Sequence, residues 1–334
     1  MWLQKLGAHV VGLALDPPTS PCLYNLLQLH TSLNSHRIDI RNADEVQRLF
    51  QNESPEIVFH LAAQSLVGTS YREPLATFST NVLGTAVVCD AVRQTRSVQA
   101  MVVVTTDKCY ENQEWTYGYR EIDRLGGSDP YSSSKACAEL VTSCYQQSYF
   151  AAPDSPPFVA TARAGNVIGG GDWAEGRLIP DVIRSIEAGH PLTIRRPQAQ
   201  RPWQFVLEPL YGYLLLAKNL ATQGKNFSGP WNFGPDDTGI QSVEHVLRLL
   251  GNYWGSDLTI IRQPEPAYHE THTLKLDSSK AKSLLHWHPQ LTLEQCLELT
   301  VQWYRSYLDH ADLAAVTQKQ LRQYEALLEQ SAGS

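Results

Sequence analysis

The sequence predicts an α/β protein: a doubly wound parallel sheet of Rossmann type with a smaller mixed α/β lobe attached. Three observations predict it. Residues 1–168 alternate short apolar runs with stretches of helical period. Several of those runs, EIVFHLAA and QAMVVVTTD among them, are continuously apolar, as strands buried on both faces must be. Polar residues then gather where the runs end, at LALD, HLAAQ, VVTTD and RAGN, which is where parallel sheets of this kind place their sites.

The elements follow in order. MWLQKLGA reads as the last turns of a helix stopped at Gly7, and VVGLALD as a strand ending on Asp16 before Pro-Pro. HRIDI leads into the helix DEVQRLF, with Asn42 and Glu45 spaced as in a capping box. EIVFHLAA is a strand and TNVLGTAVVCDAVRQ a helix with one apolar face. QAMVVVTTD is the next strand and is followed by a long polar loop. PYSSSKACAELVTSCYQQSYF is a helix, and FVATARAGNVIG reads as one strand. Near residue 170 the texture changes to a glycine-rich loop, GGGDWAEGRLIPD. Shorter elements follow: DVIRSIEAG, LTIRR, LEPLYGYLLLAKNL, WNFG, VEHVLRLLGNYW, LTIIR, and a helical tail whose end, EQSAGS, is expected to fray. The expected division is 1–168 for the sheet domain and 169–334 for the second lobe, with part of the C-terminal half returning to the first.

Composition narrows the partners. The 334 residues are 43% hydrophobic and 18% charged, which is ordinary for a globular chain, and long enough for a large core. A net charge of -7 with no basic run argues against nucleic acid. The sequence shows no apolar run approaching the ~20 residues of a bilayer span, and no signal peptide at its start, so no membrane partner is expected. Six scattered cysteines without a CxxC pair read as reduced thiols of a cytoplasmic protein. Eleven histidines include no HExxH pattern. HWH at residues 286–288 comes nearest to a metal motif, but spacing alone does not make one, and no metal is expected.

The sharpest chemical signal is Tyr131-x-x-x-Lys135, opening a helix after Asp129-Pro130. A spacing of four puts both side chains on one helical face. An ammonium beside a phenol favours the phenolate, so the Tyr131 pKa is expected to fall towards neutrality. Such a phenolate takes a proton from an alcohol while hydride leaves the carbon. Upstream, a strand ends in Thr105-Thr106, where a hydroxyl could hold the same substrate oxygen. Asp107 and Lys108 follow directly and leave the strand in different directions, so a carboxyl and an amine could serve two atoms of one substrate. The alternative for that doublet is an exposed ion pair.

The order strand, hydroxyl, YxxxK resembles the catalytic triad of the short-chain dehydrogenase/reductases. TTDK, DPYSSSK, RAGNVIGGGDW, RLIPD, RPWQFVLEPL, WNFGP and LKLDSSKA occur in that order, within a resemblance that runs from about residue 2 to about residue 305. They resemble the extended, NAD-dependent epimerase/dehydratase family, and within it the nucleotide-sugar 4,6-dehydratases acting on CDP-glucose. Thr106-Asp107-Lys108 is the most specific part, since dTDP-glucose and GDP-mannose dehydratases carry Thr-Asp-Glu or Ser-Glu there and epimerases lack the doublet. Phe205 departs from the pattern, which usually has His at that place.

The resemblance implies NAD as a retained catalytic cofactor and a nucleotide sugar as substrate. Tyr131, with Lys135 and Thr106, would take the 4-hydroxyl proton. Lys108 would take the C5 proton, and Asp107 would protonate the departing 6-hydroxyl. Asp16 would bind the adenosine ribose and disfavour a 2′-phosphate. Asp39 and Ile40 would flank the adenine, and Leu61, Ala62, Ala63 and Gln64 would line the cofactor. Asn81 opens a helix on the cofactor side or serves only as a cap. Asn166, Arg177, Arg195 and Arg201 would hold the diphosphate, each arginine with a solvated surface charge as its alternative. His269 and Glu270 would contact sugar or nucleotide. The family also implies a homodimer packed through the helices of the YxxxK region, and a place in deoxysugar supply for surface polysaccharide such as lipopolysaccharide O-antigen.

Dinucleotide folds hold the pyrophosphate on a glycine-rich turn about 20 residues before the ribose acid. With Asp16 as that acid, the turn and its strand are expected ahead of Met1. A misplaced start and a decayed fragment both account for this, and the intact motifs elsewhere favour the former. Two other readings stay open: another nucleotide-sugar dehydratase or epimerase, and an inactive nucleotide-binding protein of the same fold.

Overall fold

The computed structural model describes residues 1–152, 154–255, 258–262 and 273–332. The apolar runs become short strands and the amphipathic stretches cover them. After helix α1 (Trp2–Lys5) comes β1 (Val11–Ala14), then α2 (Leu23–Leu26), β2 (Asn34–Arg37) and α3 (Ala43–Glu53). Asn42 caps α3 by accepting from the Glu45 backbone N–H at 3.3 Å, as the spacing predicts. Strand β3 (Ile57–His60) leads to α4 (Val67–Arg72). Next, α5 (Pro74–Phe78), a π-turn (Ser79–Leu83) and α6 (Gly84–Gln94) run on as one helix. This joined stretch of 21 residues is long and apolar enough to cross a membrane by length and composition. It corrects the expectation that no run approaches that length. It is nearly half buried and packs against α3 and α7 (Pro130–Ser148).

Two parallel sheets carry the first domain. β1 pairs with β2, while β3, β4 (Ala100–Val104) and β5 (Phe158–Ala164) form a second ladder. Among the described residues no strand is bonded to the other edge of β1 or of β3. Strands β4 and β5 are buried almost throughout, which is why their sequences do not alternate. The fourth strand of that ladder, β9 (Gly229–Phe233), comes from the C-terminal half and pairs parallel to β5.

FVATARAGNVIG is two strands rather than the one expected. β5 ends at Ala164, and β6 (Asn166–Ile168) leaves for another sheet, pairing parallel with β8 (Gln200–Phe205). Gly165 sits at the crossing with no room for a side chain: a Cβ there would lie 2.5 Å from Pro202 Cγ and 3.2 Å from Asp107 Oδ2. The C-terminal half continues with α8 (Leu178–Ala188), β7 (Leu192–Ile194), α9 (Leu207–Gln223), β10 (Ile240–Ser242), α10 (Val243–Trp254) and β11 (Ile260–Arg262), of which α9 returns to pack on β4 and β5 through Tyr213, Leu216 and Leu220. β10 pairs antiparallel with β8, and β11 parallel with β7.

The tail holds α11 (Ser279–Leu285), α12 (Leu293–Leu308) and α13 (Leu313–Ala332). Of EQSAGS, where fraying is expected, residues 329–332 continue α13, with Ser331 bonded to Gln290, and Gly333 and Ser334 lie outside the described residues. In HWH, His286 ends α11 in a left-handed conformation, and Trp287 is buried with its indole N–H donating to the Glu208 carbonyl. All six cysteines are free thiols.

Candidate active site

A cleft of about 1620 Å³ lies between the carboxyl ends of β4 and β5 and the second lobe. Thr106, Asp107, Lys108 and Tyr131 line it from the sheet side, and Asn166, Arg177, Arg195 and Arg201 from the lobe side. The sequence thus names both walls. Each wall has a local cause. β4 stops at Val104 and the chain turns into a 3-10 turn (Asp107–Cys109), capped by the Thr106 hydroxyl, which accepts from the Lys108 N–H at 3.3 Å. Asp129 caps α7 through the Ser132 N–H at 2.9 Å, with Pro130 in the first turn, so Tyr131 stands at the mouth of the helix.

The Tyr131 phenol hydrogen-bonds to Thr106, and the Thr106 hydroxyl donates to Asp107 Oδ1 at 3.1 Å. Asp107 is only 2% exposed, and its Oδ2 has no partner. Burial pushes the Asp107 carboxyl up, against the opposing charges of Lys108 and Arg201 and the Thr106 hydroxyl. A buried carboxyl raised in this way keeps its proton to higher pH than an exposed one. Asp107 and Lys108 are therefore not the exposed ion pair that a loop doublet would give.

One expectation is corrected. The Tyr131 phenol is not lowered towards neutrality: burial pushes it up to about 12, against the Thr106 hydrogen bond and the Arg177 charge. Lys135 is buried as well, and burial lowers its ammonium to about 8. Its Nζ donates to the Val104 carbonyl at 2.8 Å. Two buried groups each lose stabilisation of their charged form, and the helical spacing alone does not reveal that.

The expected cofactor residues lie to one side of the cleft lining. Asp16 stands past the end of β1, with its side chain 87% exposed and bonded to Arg37 at 2.8 Å. Asp39 pairs with Arg41, which lowers its carboxyl. Ile40 is buried against Gly84, where a Cβ would meet its Cδ1 at 2.4 Å. Leu61 is half exposed, Ala62 and Ala63 are half-buried after β3, and the chain reaches the cleft at Ser65, Leu66 and Val67.

Asn81 neither opens a helix nor caps one. It sits buried in the π-turn, and its amide is spent on its neighbours. Oδ1 accepts from the Gln64 N–H at 2.8 Å, and Nδ2 donates to the Gln64 carbonyl at 2.9 Å and to Ser134 Oγ at 2.8 Å. It holds the loop after β3 onto α7. The donor set fits the NAD that the resemblance implies: a carboxylate past β1, small side chains after β3, and a hydroxyl, phenol and ammonium past β4.

On the lobe side, Arg177 Nη1 bonds Asp172 Oδ2 at 2.9 Å, and Arg201 is buried with Nη1 on the Gln200 carbonyl at 2.8 Å. Phe205 is buried and lines the cleft. His269 and Glu270 lie outside the described residues. Sequence reasoning missed Arg196, which lines the cleft beside Arg195, and Asp172 and Ser65, which hold Arg177. The signal for Asp172 was its place in GGGDW, five residues before Arg177.

Comparison with known proteins agrees with this arrangement. The family model described as GDP-mannose 4,6 dehydratase matches residues 3–229. The chain is 44% identical over 327 residues to a CDP-glucose 4,6-dehydratase of Salmonella typhimurium, covering 97% of this chain and 91% of that one. It is 30% identical over 282 residues to a dTDP-glucose 4,6-dehydratase of Xanthomonas campestris, covering 80% and 77%. Among solved structures, a dTDP-glucose 4,6-dehydratase of Streptomyces venezuelae with NAD bound superposes with a TM-score of 0.80 at 23% identity, covering 93% of this chain and 94% of that one. The UDP-glucose 4-epimerase of Thermotoga maritima gives 0.79 at 24%, covering 92% and 94%, so the extended dehydratase/epimerase fold is shared. Sheet order, cleft and sequence agree, and the chain belongs to the GDP-mannose 4,6-dehydratase family.

Proposed function

We propose that this chain is a CDP-glucose 4,6-dehydratase, converting CDP-D-glucose to CDP-4-dehydro-6-deoxy-D-glucose and water with NAD as a retained cofactor. The observation that carries the reading is Thr106-Asp107-Lys108 leaving β4 beside Tyr131, with the Asp107 carboxyl buried and raised. The 44% identity to the Salmonella enzyme supports CDP-glucose as the substrate.

Tyr131 takes the proton of the sugar 4-hydroxyl, and the Thr106 hydroxyl holds that oxygen in place. When bound, NAD would supply a hydride acceptor for C4, a hydride donor for C6, and a positive charge that favours the phenolate. The 4-ketone makes the C5 proton acidic, and Lys108 takes it. Asp107 gives its proton to the 6-hydroxyl, which leaves as water. Asn166, Arg177, Arg195 and Arg201 hold the diphosphate across the cleft. Asp16 binds the adenosine ribose, and the loop at Leu61 to Gln64, seated by Asn81, lines the dinucleotide, with Asp39 and Ile40 towards the adenine.

Leu75, Leu83 and Leu140 point outward from α5, the π-turn and α7, with Leu75 84% exposed. Apolar side chains on adjacent helices suit a homodimer through these helices. The same outward face explains why this helix meets the length and composition of a span. Free thiols and a nucleotide-sugar substrate suit the cytoplasm, and the 6-deoxy product suits surface-polysaccharide supply such as O-antigen. The protein incubated with CDP-glucose and NAD is expected to yield the 4-keto-6-deoxy product, with dTDP-glucose turned over poorly. Binding of CDP-glucose without product would sink this reading in favour of a nucleotide-binding protein.

A further inference from the structure

Beneath the cleft lies a buried ion pair that the chemistry above does not use. Glu139 and Arg163 have side chains 4% and 3% exposed. Arg163 Nε and Nη2 donate to the two Glu139 oxygens at 2.9 and 2.8 Å. The Thr161 hydroxyl donates to Oε2 at 2.7 Å, and the Thr105 hydroxyl donates to Oε1. The remaining guanidinium nitrogen, Nη1, donates to the Tyr110 hydroxyl at 2.7 Å and the Glu121 carbonyl at 3.2 Å. Tyr110 in turn donates to Asn232 on β9 at 2.8 Å.

A buried ion pair is a poor source of stability, because desolvation offsets its attraction and apolar side chains of similar volume often serve as well. What it does supply here is registry. Glu139 lies one helical turn beyond Lys135 on α7, and Thr105 directly precedes Thr106 at the end of β4. The pair therefore bolts the helix that carries Tyr131 and Lys135 to the strand end that carries Thr106, Asp107 and Lys108.

We propose that Glu139 and Arg163 are positioning residues for this reaction, setting the spacing between those two catalytic segments. The proposal rests on the dehydratase reading above. It has an electrostatic side as well. The groups facing Lys135 are His60 on β3, Cys109 in the turn after β4, and Glu139 on its own helix. Burial holds His60 neutral, down to about 3, and pushes the Cys109 thiol up, so both stay uncharged near neutrality. Burial works to raise the Glu139 carboxyl, but the Arg163 charge and the three donors outweigh it and the carboxyl titrates low. Glu139 is thus the one standing negative charge among them, and it sustains the Lys135 ammonium that the Tyr131 phenolate needs.

Three variants test this: Glu139→Gln, the double variant Glu139→Gln/Arg163→Met that removes both charges together, and Thr105→Val, which keeps the ion pair and cuts only its link to β4. Two readouts are taken: kcat and KM on CDP-glucose, and the Tyr131 titration followed by tyrosinate absorbance against a Tyr131→Phe blank, which needs no turnover. For Glu139→Gln and for the double variant the expectation is a kcat loss of about 10²-fold with KM unchanged, as for a displaced catalytic group, and a Tyr131 titration moved to higher pH. For Thr105→Val a kcat loss with an unchanged KM is expected. If Glu139→Gln does not fold, the other two variants decide. Wild-type kcat and an unmoved Tyr131 titration, with only a lower melting temperature, would show the pair to be structural and overturn the proposal. If the wild-type protein itself fails to dehydrate CDP-glucose, the dehydratase reading falls, and the Tyr131 titration still decides whether Glu139 acts on the pair above it.

Discussion

Arg177 reaches across the cleft to Ser65: its Nη2 donates to Ser65 Oγ at 2.9 Å while Nη1 holds Asp172. One guanidinium joins the loop after β3 to the glycine-rich loop of the second lobe. In the proposed complex the same fork turns to the diphosphate, exchanging two neutral or screened partners for a charged, bidentate one. Arg177→Ala is expected to raise KM for CDP-glucose by about tenfold or more, each charge-assisted hydrogen bond being worth ~1.5–3 kcal/mol. Steady-state kinetics with saturating NAD checks this, and an unchanged KM would remove Arg177 from the substrate side.

Asp107→Asn keeps the shape of the buried carboxyl but cannot release a proton. Product formation is expected to fall by about 10²–10⁴-fold, the usual worth of a general acid. Oxidation at C4 does not need Asp107, so absorbance of reduced nicotinamide is expected to build up on mixing with CDP-glucose. Loss of both signals together would place Asp107 in the first step instead of in water elimination.

Glu208 gives a stability prediction with a definite sign. Its Oε1 accepts from the Gln290 and Leu291 N–H groups, each at 2.9 Å, and Oε2 accepts from the Tyr324 hydroxyl at 2.7 Å. Burial nevertheless lifts the carboxyl from 4.5 to about 7, against those three donors. A carboxyl raised on folding binds more protons in the native state than in the unfolded one, so stability falls as pH rises between those two values. The loss is about 3 kcal/mol at full extent. Glu208→Gln is expected to flatten this slope and to be the more stable form at pH 8, read as melting temperature against pH. A slope unchanged in the variant would assign it to other groups.

Gly165→Ala tests the crossing between the two sheets. Its Cβ would overlap Pro202 and press on the Asp107 carboxylate. Overpacking of this kind costs ~1–3 kcal/mol. Activity is expected to fall further than stability alone explains, because the displaced atom belongs to the proposed acid. Thermal unfolding and kcat measured on the same sample separate the two.

Much of this was legible in local sequence. β4 and β5 announced themselves as apolar runs because both their faces are covered, whereas β3, read the same way, leaves Ile57 exposed, and Asn42 and Asp129 announced the helices they cap. Tyr131, Asp107 and Lys108 were legible because a helix start and a strand end fix where their side chains emerge. The rest depended on partners far along the chain. The break at Gly165 is set by pairing with β8, and nothing within FVATARAGNVIG marks it. The bond of Glu139 to Arg163 spans 24 residues and two elements. The phenol of Tyr131 was misjudged because helical spacing states which groups are near and says nothing of how dry they are. The helix over TNVLGTAVVCDAVRQ was read correctly, but its extension back to Pro74 was not, because the polar residues between Phe78 and Val82 interrupt the apolar run.

Asn81 has one more consequence. By clamping Gln64 at both its N–H and its carbonyl, and Ser134 on the far side, it fastens the loop after β3 to α7. On the opposite wall, Arg177 is half exposed and reaches its neighbours through surface bonds that solvent competes for. The cleft thus sets a bed fastened by a buried amide on one side against a half-exposed grip at Arg177 on the other. A tenant that stays through every turnover belongs in the bed, and a visitor that arrives and leaves each cycle belongs under the grip.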